Sequence, residues 1–240
     1  MQVSTRLRTL VRAATLIVLA LGSAAITWAS AVYFGDDLAP FVLEKLPLPL
    51  EDVWVLALQV HVAAAAFCLP ACLFLSSMSV VHRTPRLHRW LGRVTATLLL
   101  FALLPTGFYL SLFAKGGLPS TLGFMVSGVI VGVAMARGVR AARARRFLEH
   151  RRWVLHVLAQ LSVAVTSRAM LFAFDAAGVD EELAYIVSLW LPVVGSFGLA
   201  ELLSTRRRPS IQPIWRNHEV RLDVHHPRAL PDRPRRAGGG

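Results

Sequence analysis

Acidic residues are scarce in this chain: 14 Asp and Glu stand against 26 Lys and Arg, and no acidic residue lies in the middle of an apolar stretch. That removes paired carboxylates from the apolar interior, and with them the commonest acid–base arrangement. Cysteine is almost as rare. Cys68 and Cys72 sit four apart on one helical face, where adjacent turns seldom permit disulfide geometry, and they read as small packing residues. A Walker phosphate loop, a nucleophile elbow and a His-Glu-x-x-His pair are all missing, so no soluble-enzyme signature is present and an enzymatic role stays open. His225-His226 is too sparse for a metal site, and no metal is expected.

What the chain has instead is apolar length. With 55% hydrophobic residues, 17% charged and a mean hydropathy of +0.54, its 240 residues carry more apolar surface than a soluble domain covers. Apolar stretches run at about 13–34, 53–76, 91–113, 118–136, 153–174 and 183–203, each roughly 19 to 24 residues and so long enough for ~30 Å of hydrocarbon. In lipid the backbone must satisfy its own hydrogen bonds, so the expectation is an all-α bundle of six transmembrane helices over 1–204, kinked at Pro70, Pro105 and Pro192. The first stretch reads as a retained span; the alternative, a signal peptide cleaved near Ala29-Ser30-Ala31, leaves five spans in the same orientation. The tail, 205–240, is basic, rich in Arg and Pro and without helical periodicity, which predicts disorder.

The formal charge of +12 has a topological explanation rather than a nucleic-acid one. Basic residues fall in the N-terminus (Arg6, Arg8, Arg12), the second loop, the fourth loop and the tail, whereas the other loops hold only Lys45 and Lys115. Strict alternation of this kind puts both termini in the cytoplasm and predicts contact with anionic lipid headgroups there. Gly128 and Gly132, with Ala136 following, form a small-residue row on which another helix can approach closely, including one from a second copy of the chain.

One basic residue escapes the partition: Arg168 lies inside the fifth span. Stepping 100° per residue, His156, Gln160, Ala164, Ser167 and Arg168 share one sector of that helix. His61 lies on a small or polar face of the second span, and Thr106 and Tyr109 on one of the third. Counted from the basic end at ~1.5 Å per residue, His61, Thr106 and Arg168 all lie ~22 Å deep. These residues, His61, Thr106, Tyr109, Gln160 and Arg168, are the candidates for a ligand cavity between helices two, three and five. A guanidinium in hydrocarbon costs at least ~2.5 to 3.5 kcal/mol, and no carboxylate shares the depth of Arg168. Its partner is therefore carbonyls, hydroxyls, water or an anionic ligand, unless it snorkels to the interface toward Asp175.

At the basic boundary the third span opens with His88-Arg89-Trp90-Leu91-Gly92-Arg93 and the fifth with His150-Arg151-Arg152-Trp153. Both put imidazole, guanidinium and indole at headgroup level, so His88, Arg89, Arg93, His150, Arg151, Arg152 and His156 are candidates for lipid or cofactor contact. Taken with His61 and Arg168, these phrases resemble the bacterial membrane family called domain of unknown function 2306, over about residues 55 to 175. The family's Met-x-Arg after the Trp is replaced by Val154-Leu155-His156. The resemblance implies a multi-pass protein of a bacterial inner membrane and no particular activity.

Three functional expectations follow. The first is a binder of a small or anionic ligand in the helix two, three and five cavity. The second is a redox protein holding b-type haem or a quinone; two axial His must share a depth, which His61 at ~22 Å and His156 at ~4 to 5 Å do not, whereas His88 and His150 do. The third is an accessory or structural membrane protein whose polar residues serve packing alone.

Overall fold

The computed structural model describes residues 2–35, 40–43, 45, 47–48, 50–76 and 83–205. The tail from 206, with His225 and His226, lies outside them, as do Asp36, Asp37 and Glu44 of the first loop. Among the described residues there is no strand, and six helices are long and apolar enough to cross a membrane. These are α1 (Gln2–Ala29, continued by a 3-10 turn Ser30–Phe34), α2 (Glu51–Leu75), α3 (Pro85–Ser111), α4 (Gly117–Arg143), α5 (Phe147–Ala176) and α6 (Glu181–Thr205). A single turn, Pro40–Leu43, lies between α1 and α2.

Several helices run past their apolar stretches at the arginine-rich end. α3 begins at Pro85, α5 at Phe147, and α4 continues to Arg143. Hydropathy marks where lipid ends, not where a helix ends, because Arg and His are good enough helix formers to carry the backbone into the headgroup layer.

α4, α5 and α6 pack as one group, α2 packs along α3, and the two groups meet where α3 lies on α4 and α2 on α5. The shared core is made of small or slim side chains: Ala64, Cys68 and Cys72 of α2, Ala96, Leu99 and Leu103 of α3, Ala134 and Met135 of α4, and Val157 of α5. Both cysteines are free thiols inside it. The Gly128–Gly132 row seats side chains of this same chain: a Cβ on Gly128 would stand 2.6 Å from Phe108 Cε1, and one on Gly132 2.8 Å from Leu104 Cδ1. Close approach without a clash is what small residues provide where lipid gives no hydrophobic drive for helix association.

α1 is peripheral. Only 6% of its apolar window is buried inside the protein, and it rests on α2 and α5, with Gly22 against Val165. Large apolar side chains such as Trp28, Phe101 and Phe172 face outward, which suits a hydrocarbon surround.

Candidate functional site

Pro105 sets the local geometry of α3. Its ring removes an N–H and crowds the preceding turn, and residues Leu99–Leu103 widen into a π-helical turn just before it. Side chains then reach carbonyls around the distortion. Thr106 Oγ1 donates to Ala102 O at 2.6 Å, and His61 Nδ1 of α2 lies 3.2 Å from Leu103 O and 3.3 Å from Thr106 Oγ1. Gly107 leaves room for the imidazole, since a Cβ there would stand 3.0 Å from His61 Cε1.

A carbonyl only accepts, so Nδ1 of His61 carries a hydrogen, and in the neutral ring Nε2 keeps a lone pair. The ring is thereby fixed in one tautomer and offers one acceptor atom.

Arg168 projects from α5 with its side chain exposed, not enclosed between helices. Its Nη1 donates to Ala164 O of its own helix at 3.0 Å, and the side chain pairs with no carboxylate among the described residues, Asp175 included. Its charge lies within electrostatic reach of His61 on α2 and of Tyr185 on α6. His61 and Thr106 are in direct contact, and Arg168 joins them through its field. All three lie in the half of the bundle away from the arginine-rich end.

The remaining ligand candidates sit elsewhere. Tyr109 packs edge-on to Phe113, centroids 5.5 Å apart, in an apolar cluster around Trp54 and Leu58. Gln160 is buried among α4, α5 and α6: its Nε2 donates to Val193 O and Ser196 Oγ, both at 3.1 Å, and its Oε1 accepts from Ser127 Oγ at 3.0 Å.

The arginine-rich end holds a second polar group. Arg152 donates to both oxygens of Glu201, at 2.9 and 3.0 Å, and tethers α5 to α6. His156, 1% exposed, places Nε2 3.2 Å from Glu201 Oε1 and its ring between those of Trp153 and Phe197. His150 Nδ1 lies 2.9 Å from Gly138 O, so it too donates to a backbone carbonyl, and His88 of α3 is within electrostatic reach of His150. Arg89, Arg93 and Arg151 are exposed at the same end.

Glu201 is not among the candidates drawn from the sequence. An acid on an otherwise apolar helix needs a cationic partner, and Arg152 was the signal available for finding one.

Among protein families, the chain matches along residues 58–204 a family described as predicted membrane protein (DUF2306). The match takes in α2 from Leu58 onward through α6, beyond the stretch that the boundary phrases and Arg168 marked, and leaves out the peripheral α1. No curated protein and no solved structure matches the chain.

Proposed function

The chain belongs to the DUF2306 family of predicted membrane proteins, and we propose that it binds a small anionic ligand at the exposed Arg168 of α5, on the side of His61 of α2 and Thr106 of α3. We place it in a bacterial inner membrane with both termini cytoplasmic, a reading supported by the arginine partition.

The observation that carries the ligand reading is Arg168. Its guanidinium has five N–H donors, and the one hydrogen bond it makes among the described residues goes to a carbonyl of its own helix. A cation at that depth without a carboxylate calls for an anion, and an arginine is the side chain best shaped to bind one in two-pronged fashion. His61 adds selectivity. With Nδ1 committed to Leu103 O, its Nε2 accepts a hydrogen bond, so the favoured ligand carries a donor O–H beside its negative charge. A singly protonated oxyacid or a hydroxy acid fits this pair of requirements.

The test is what leaves the membrane with the protein. Wild type and Arg168→Ala, purified gently in the same detergent, are denatured and the released small molecules identified by mass spectrometry. An acid present at near-stoichiometric amount with wild type and missing from the variant supports the reading. Matching extracts from the two proteins, both folded, count against it.

A further inference from the structure

Buried polar atoms without partners are few among the described residues, and most of them gather at the arginine-rich end. Arg152 Nε, Trp153 Nε1, His88 Nδ1 and His156 Nδ1 are shielded from solvent there without a hydrogen bond. A buried donor left unpaired costs about 1 to 3 kcal/mol, so a group of them asks for a cause.

The Arg152 and Trp153 atoms among them are one-sided. An indole N–H and a guanidinium Nε–H only donate. The carboxylates at hand are committed: Glu201 accepts from Arg152 Nη2 and lies beside His156, and Glu149 pairs with Arg146. Arg137 adds another guanidinium, exposed and 4.8 Å above the Trp153 ring, with Arg152 5.5 Å from the same ring. Arg137 has no acid partner among the described residues.

α4 and α5 lie close together at Gly138. A Cβ there would meet Trp153 Cβ at 3.4 Å and His150 Nδ1 at 4.0 Å, ordinary contact, so the indole and imidazole of α5 lie directly against α4 beside Arg137.

We propose that Arg137, Trp153 and the Nε edge of Arg152 form a binding site for a phosphate-class oxyanion at the arginine-rich end of the bundle. The set supplies donors and positive charge and lacks acceptors, the complement of a phosphate group. An indole at this depth also suits the headgroup layer, where a lipid phosphodiester and a free phosphate present the same chemistry. The site is separate from the one at Arg168 and does not depend on it.

The experiment follows thermal unfolding of the full chain in an uncharged detergent as phosphatidylglycerol, phosphatidylcholine or inorganic phosphate is added. Trp153→Phe keeps an aromatic ring at the position while removing the N–H donor and part of the indole surface; Arg137→Gln removes an exposed charge with little folding risk. Stabilisation by phosphatidylglycerol but not by phosphatidylcholine or phosphate, with apparent affinity about tenfold weaker in either variant, assigns a lipid headgroup. Saturable stabilisation by inorganic phosphate, lost in both variants, assigns a soluble oxyanion. Either supports the site. No stabilisation by any of the three, or an equal response in wild type and variants, overturns it, and so do b-type absorption bands in the purified protein that vanish with His88→Ala.

Discussion

Glu201 accepts both hydrogen bonds from Arg152 at 2.9 and 3.0 Å, and this bidentate pair is the one carboxylate–guanidinium tether between α5 and α6 among the described residues. Both side chains are about a third exposed, so the pair is partly screened and its worth is modest. Glu201→Gln removes the charge and one acceptor oxygen while keeping the shape. The expected cost is about 1 kcal/mol, read as a small fall in the unfolding midpoint in detergent, with the small-molecule content of the protein unchanged.

Gln160 is the deeper fastener. It ties α4 to α6 through Ser127, Ser196 and Val193 O and shares no hydrogen bond with the His61 group among the described residues. Gln160→Leu fills similar volume and breaks all three hydrogen bonds. Interhelical bonds in membrane proteins average well under their vacuum value, so the loss is expected at about 1 to 2 kcal/mol. Thermal unfolding checks it, and retention of any co-purifying acid separates this structural role from ligand binding.

Gly107→Ala tests the seat of His61. The added methyl would stand 3.0 Å from Cε1 and 3.3 Å from Nδ1, so the imidazole must move although α3 stays helical. Ligand recovery is expected to fall about tenfold, comparable to losing a charge-assisted contact, while helicity by circular dichroism is unchanged.

Thr106→Val makes a graded comparison. The valine keeps the branched shape and removes the hydroxyl 3.3 Å from His61 Nδ1, leaving Leu103 O as the ring's acceptor. Because one of two acceptors survives, recovery should fall by about threefold, clearly less than in His61→Ala.

How much of this was legible in the sequence divides by kind of signal. The six helices and the partition of arginines were readable because lipid imposes length and charge rules on every span. The meeting of His61 with Thr106 was readable too: both are polar residues of similar depth on facing helices. The disposition of the α5 stripe was not. His156, Gln160 and Arg168 share a sector about 120° wide, and periodicity says that such a face is turned inward without saying toward which neighbour. In the structure His156 turns to Glu201 of α6 and Gln160 to Ser127 and Ser196, while Arg168 is left to its own helix and the field around His61. Tyr109 shows the same limit, since its place in the Trp54 cluster depends on Phe113 and on the course of the chain before α2. The π turn had a sequence signal in Pro105, but a proline alone does not say whether the helix kinks, widens or breaks.

The most direct test of the central claim asks whether His61 and Arg168 serve one ligand. Co-purified acid is quantified per mole of protein for wild type, His61→Ala, Arg168→Ala and the double variant, all checked for folding. One shared site predicts a large loss in each single variant and a double variant no worse than the poorer single one, because the ligand is already gone. Losses that multiply in the double variant, or wild-type amounts in either single variant, would contradict it.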